Sequence, residues 1–268
     1  MIRTNFHTHT VFCDGKDTPE ELVLTAIEKG FMALGFSGHS YFEGEDDVSM
    51  TLPKQAEYIR QIGELKKKYA GTIQIFCGIE QDYFSPEPQF VFDYRIGSVH
   101  SLLKNGEFLG VDLSPAYTQR TVQTYYGGDF DAFAEDYFAT VSDVLEKTGA
   151  DVIGHIDLVS KFNEQNGYGE SDRYLKAAEK AVKKLAASGK PFEINTGAMA
   201  RGTKHIPYPS PAILRIIKAY GGKILFSSDC HDKDALDYAF DEVAELAKGI
   251  GFCEHGVLTE SGIAYVPF

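Results

Sequence analysis

The sequence predicts an α/β fold in which seven parallel strands close into a barrel, and three observations lead there. Short, largely apolar runs alternate with amphipathic stretches along most of the chain, the pattern of parallel strands joined by helical crossovers. There are seven such runs, which favours a barrel over an open sheet. The length, 268 residues, is normal for a single (β/α) barrel.

The strands are expected at 4–9, 33–37, 73–80, 94–99, 151–155, 191–195 and 223–228. Each is short and apolar on both faces, as strands covered by helices are. A last apolar piece, 263–266, reads as an extra edge strand. Helices fall between them. Thr18-Pro19-Glu20-Glu21 reads as a capping box with Pro at the first helical position, opening a helix to residue 29. The stretch 54–69 puts Ile59, Ile62 and Leu65 on one face, and 130–147 spaces Phe133, Tyr137, Val141 and Val144 helically. A further helix at 174–188 carries Leu175, Ala178, Val182 and Leu185 and stops at Gly189. Ser210-Pro211 opens a helix to residue 220, and the last helix spans 235–250. The region 102–128 is the least regular and reads as a long loop beside the site.

Composition narrows the classes of function. Hydrophobic residues make up 43% of the chain and charged residues 24%, which suits a globular protein with a sizeable core. No apolar run has the length of a signal peptide or a membrane span, so the expectation is a cytoplasmic protein without a membrane partner. Cys13, Cys77, Cys230 and Cys253 form no CxxC pair and read as reduced, buried small side chains. A net charge of −13 argues against nucleic acid as partner, because binding its backbone relies on Lys and Arg. The same charge is compatible with a small anionic substrate if acidic residues hold cations, since bound ions are often the largest local charges in a site.

The polar residues at the strand ends carry the chemistry. The first strand ends in His7-Thr8-His9, with Asp14 in the loop beyond. The second runs into Gly38-His39, the third ends at Glu80, the fourth at His100 and the fifth at His155. The seventh ends at Asp229 and His231. Of the eight histidines, only His205 and His255 fall elsewhere; His205 reads as an exposed loop residue. In an extended segment, side chains at i and i+2 share a face about 6–7 Å apart along the strand, so His7 with His9, and Asp229 with His231, can converge on an ion. Imidazole and carboxylate without thiolate suits zinc, manganese or iron. Nine candidate ligands exceed what one ion takes, which implies two to three divalent ions and hydrolytic chemistry.

These residues resemble the four-part signature of the PHP (polymerase and histidinol phosphatase) superfamily, over nearly the whole chain from His7 to His231. Asn5-Phe6-His7-Thr8-His9, Ile79-Glu80-Gln81-Asp82-Tyr83, Gly97-Ser98-Val99-His100, Gly154-His155-Ile156-Asp157 and Ser227-Ser228-Asp229-Cys230-His231 are similar to its histidinol-phosphate phosphatase branch. The resemblance implies one domain over 1–268, a distorted (β/α)7 TIM-like barrel with its metal centre at the C-terminal ends of the strands. It implies three ligand sets: His7, His9, Glu80 and Asp229; Glu80 with His100 and His155; and Asp14, His39 and His231. Glu80, Asp229 and His39 would be catalytic, and Arg201 and Lys161 would bind phosphate. The implied reaction is hydrolysis of L-histidinol phosphate, in histidine biosynthesis, by a metal-bridging hydroxide. Glu43, Asp46 and Asp82 would meet the substrate ammonium and Tyr117 its ring.

Another small phosphorylated metabolite or nucleotide is the alternative substrate. An amidohydrolase is disfavoured by Glu80 and the Asp14, His39 and His231 set, a nuclease by the acidic charge. A non-catalytic scaffold is disfavoured by the complete ligand set.

Overall fold

The computed structural model describes residues 2–45 and 47–268, so Asp46, an expected ammonium contact, lies outside the described residues. Seven strands form a curved parallel array and hydrogen-bond in chain order. They are β1 (Thr4–Asn5), β2 (Ala33–Phe36), β3 (Gln74–Asp82), β4 (Tyr94–Ser98), β7 (Val152–Ile153), β8 (Pro191–Asn195) and β9 (Lys223–Ser227). Along the chain, a separate hairpin of β5 (Ser101–Lys104) and β6 (Glu107–Gly110) comes between β4 and β7. The apolar runs form these strands because both of their faces are buried: Leu34, Phe36, Ile79, Ile96, Val152, Ile194 and Ile224 are all inaccessible.

The array closes irregularly. Beyond the end of β1, His9 N–H donates to Cys230 O at 2.9 Å, and Thr8 pairs with Cys230 in an isolated parallel bridge. Asn5 Nδ2 donates to Ser228 Oγ at 2.6 Å, and Ser228 N–H donates to Asn5 Oδ1 at 3.2 Å. The far edge of β9 is occupied by β10 (Glu254–Thr259), which carries β11 (Gly262–Pro267) antiparallel beyond it. The barrel is therefore the distorted (β/α)7 form, closed at the end where the polar residues sit. The expected edge strand at 263–266 is β11; its partner β10 was not foreseen.

Most expected helices are present: α1 (Pro19–Glu28), α2 (Leu52–Lys68), α7 (Asp172–Ala186) and α9 (Pro211–Ala219). The predicted box at the start of α1 forms in full. Thr18 Oγ1 accepts from Glu21 N–H, and Glu21 Oε2 accepts from Thr18 N–H at 2.9 Å.

Three expectations need correction. The helix at 130–147 is two, α4 (Phe130–Val141) and α5 (Val144–Thr148), because Ser142 Oγ donates back to Ala139 O at 2.7 Å and the chain leaves helical geometry at Asp143. The final helix, α10 (Phe240–Ile250), starts late because Ala239 takes a left-handed φ of 55°; only a short 3-10 turn precedes it. The region 102–128 is ordered rather than loop. Asn105 and Gly106, both at positive φ, turn the hairpin, and Ser114 then caps α3 (Pro115–Tyr126), which Gly127 ends. Two single turns, α6 (Asn163–Asn166) and α8 (Gly197–Ala200), complete the α-helices among the described residues. No described helix is long and apolar enough to cross a membrane.

Candidate metal centre

Parallel alignment brings the C-terminal ends of the seven strands to one level, and the nine predicted residues meet there. Glu80, at the end of β3, is the hub. Its Oε2 lies 3.3 Å from His7 Nε2, 3.6 Å from His9 Nε2 and 2.9 Å from His39 Nδ1. Its Oε1 lies 2.9 Å from His155 Nε2 and 3.4 Å from His100 Nε2. Asp229 Oδ1 is 3.1 Å from His9 Nε2 and 3.7 Å from His7 Nε2. Asp14 gathers the rest, with Oδ2 3.1 Å from His231 Nε2 and Oδ1 3.6 Å from His39 Nε2 and 3.4 Å from His9 Nδ1.

Three groups of donors each lie within 4.8 Å of one another: His9 with Asp14, His39 and His231; His7 with His9 and Asp229; and His39 with Glu80 and His100. His9 and His39 thus each face two groups, where the resemblance placed each in one.

The donor set fits divalent cations. Among the described residues, His7 Nε2, His9 Nε2 and Glu80 Oε2 are buried polar atoms without a hydrogen-bond partner, yet they face one another. Buried lone pairs aimed at a common point are costly unless a cation or proton lies between them. Electrostatics agrees. Burial alone would lower the His7 pKa, but Glu193, Glu80 and Asp229 outweigh it and raise it to about 10. Burial likewise opposes a charged His39, and Glu80 is the main group lifting it to about 9. Burial would raise the Glu80 carboxyl, but His7, His100 and His39 hold it well below its usual range. The carboxylates therefore demand positive charge, which protons supply when metal does not.

Local backbone geometry serves this convergence. Asp229 sits at a φ of 46°, strained for a non-glycine residue. Gly197 leaves room beside it: a Cβ there would meet Arg201 Nη2 at 2.9 Å and Asp229 Cβ at 3.0 Å. Through that gap Arg201 Nη1 reaches Asp229 O at 3.1 Å and His231 Nδ1 at 3.2 Å, while its side chain stays 35% exposed. Lys161 Nζ is held by Asp112 Oδ2 at 3.0 Å.

Both cations, Arg201 and Lys161, line a cavity of about 790 Å³ that opens over the cluster. Its outer wall includes Phe42, Phe108, Leu113 and Tyr117, with Glu45, Asp47 and Asp112 as acidic members. Tyr117 comes from the first turn of α3, not from a loop.

Several expected contacts fall differently. Asp82 borders the cavity with its carboxylate already engaged: its Oδ2 accepts from the His100 backbone N–H at 3.0 Å and pairs with His100 Nδ1 at 3.1 Å. Glu43 is exposed, and the cavity takes its acidic wall from neighbouring positions instead. His205 is 89% exposed beside Glu164, as expected of a loop residue. Cys13, Cys77 and Cys230 are buried, but Cys253 is exposed, because it follows the helix-ending Gly251 at the surface. Sequence reasoning missed Glu193, a carboxylate in the apolar strand Pro-Phe-Glu-Ile-Asn, whose Oε1 is 2.5 Å from His7 Nδ1. An acidic residue inside a strand buried on both faces was the available signal.

Comparison with known proteins agrees with this geometry. The PHP domain family matches residues 5–197. A Schizosaccharomyces pombe protein named "Probable histidinol-phosphatase" is 27% identical over 251 residues, covering 84% of this chain and 79% of its own. A Bacillus subtilis protein named histidinol-phosphatase is 25% identical over 270 residues, covering 91% of this chain and 99% of its own. A crystal structure of histidinol phosphate phosphatase from Lactococcus lactis, complexed with zinc, L-histidinol and phosphate, superposes with a TM-score of 0.72 at 22% identity, covering 98% of both chains. With its match running through well over half of the sequence and taking in five of the seven barrel strands whole, the chain belongs to the PHP domain family.

Proposed function

We infer that this protein is a metal-dependent histidinol-phosphatase, hydrolysing L-histidinol phosphate to L-histidinol and phosphate. The observation that carries the reading is the clustering of nine imidazole and carboxylate side chains, five of the imidazoles facing Glu80, beneath a cavity that also holds Arg201 and Lys161. Relatives named for this activity supply the substrate. The whole chain, 1–268, is read as one catalytic domain acting in the cytoplasm on a small soluble metabolite.

His7, His9, Asp14, His39, Glu80, His100, His155, Asp229 and His231 are assigned to hold two to three divalent ions, with zinc, manganese or iron matching the donors. Bound ions of this kind lower the pKa of water and neutralise charge on phosphoryl oxygens. The chain supplies the rest. Arg201 presents a planar fork to two phosphate oxygens, and Lys161 adds a point charge. Glu80, Asp229 and His39 are assigned the catalytic role, through the charge they would present to the ions that activate the attacking water. Phe42, Phe108 and Tyr117 offer faces to an imidazole, and Glu45 and Asp47 offer carboxylates to an ammonium.

The test is phosphate release from a panel of monophosphorylated metabolites by metal-reconstituted protein. Histidinol phosphate is expected to exceed sugar phosphates and nucleotides in kcat/KM by more than about tenfold. A chelator should abolish turnover. If another ester wins, the substrate falls and the reaction class stands; if none turns over with metal bound, both fall.

A further inference from the structure

Glu193 has no place in the reaction just described, yet it is one of the most thoroughly bonded side chains near the cluster. It lies on β8 and is fully buried. Its Oε1 accepts from His7 Nδ1 at 2.5 Å and from Ser227 Oγ. Its Oε2 accepts from His155 N–H at 2.8 Å and from Asn195 Nδ2 at 3.1 Å. One carboxylate therefore ties the ends of β1, β7, β8 and β9 together at the level of the cluster.

The bond to His7 has a chemical consequence. With a carboxylate at 2.5 Å from Nδ1, that nitrogen holds a proton, which leaves Nε2 as the nitrogen whose lone pair a cation can take in exchange for the second proton. Nε2 is the atom facing Glu80 Oε2 and Asp229 Oδ1. His100 shows the same arrangement, with Asp82 behind its Nδ1. His155 does not: its Nδ1 has no partner among the described residues, and Glu193 instead fixes its backbone.

We propose that Glu193 is a positioning residue that acts through His7, holding the ring in the Nδ1–H tautomer so that Nε2 is aimed at a divalent ion. The proposal rests on reading the cluster as a metal centre. Carboxylates behind ligating imidazoles set ring orientation and raise ligand basicity.

The experiment measures zinc affinity by chelator competition, without an activity assay. Glu193→Gln keeps the size of the side chain and removes its charge. It is expected to weaken zinc binding by about 10–100-fold, with kcat returning toward the parent at saturating zinc. In a His7→Gln background the same change should cost nothing further, because its route to the ion is gone. A dissociation constant within about threefold of the parent, or a loss undiminished in that background, overturns the proposal. Failure of the parent itself to bind zinc would overturn the metal reading instead. If Glu193→Gln does not fold, 15N spectra of histidine-labelled, zinc-loaded parent decide the matter, with His7 assigned by His7→Gln. A proton on Nδ1 supports the proposal and a proton on Nε2 refutes it.

Discussion

Glu80 faces five imidazoles while only 1% exposed, so its charge must be met by cations or protons. Glu80→Gln preserves shape and removes that charge. It is expected to lower bound metal, read by elemental analysis, and to cut kcat by at least about 10²–10³, the range for losing one preorganised electrostatic group. Full metal content with normal turnover would contradict this. At Arg201, the expected loss is in substrate capture. Arg201→Lys exchanges a fork for a point charge, so KM should rise about tenfold, equivalent to about 1.4 kcal/mol; an unchanged KM would place phosphate elsewhere. Eight of the nine clustered residues were legible in the sequence because each sits at or just beyond a strand end, and Asp14 because it follows in the loop after the first. Glu193 and the true partner of Asp82 were not, because which imidazole a buried carboxylate supports depends on how strands far apart in sequence align.

The elements differ in how strongly their own sequence specifies them. Barrel strands declare themselves by continuous apolarity, and α1 by its capping box. The 102–128 region hides its order because α3 has little apolar stripe: its buried residues are Thr118, Thr121 and Val122. Its signals are turn and cap chemistry, namely Asn105-Gly106 for the hairpin and Ser114-Pro115 for the helix. Ser114 Oγ accepts from Tyr117 N–H at 3.1 Å. Removing that cap in Ser114→Ala should cost about 1 kcal/mol, measured by urea unfolding. Because Tyr117 lines the cavity from this first turn, KM should rise while kcat holds. A fall in kcat at unchanged KM would mean that α3 bears on the chemistry rather than on substrate capture.

At the scale of the whole molecule, the cluster couples stability to pH and to metal. His7 is raised from 6.5 to about 10 and His39 from 6.5 to about 9 by the carboxylates around them. A group whose pKa is raised on folding contributes stability in full below its unfolded value and loses it as pH rises through its folded value. The metal-free protein should therefore lose stability between about pH 6.5 and pH 10. Metal reverses the sign, since ions must displace those protons and bind more tightly as pH rises. Unfolding measured across this window with chelator and with zinc should give curves that diverge upward in pH. The share owed to His7 is the parent minus His7→Gln, both metal-free; it should be largest at or below pH 6.5 and shrink toward pH 10. A difference that is flat, or that grows with pH, would mean that the carboxylates around Glu80 are satisfied by something other than protonated imidazole, and that the cluster has no need of a cation.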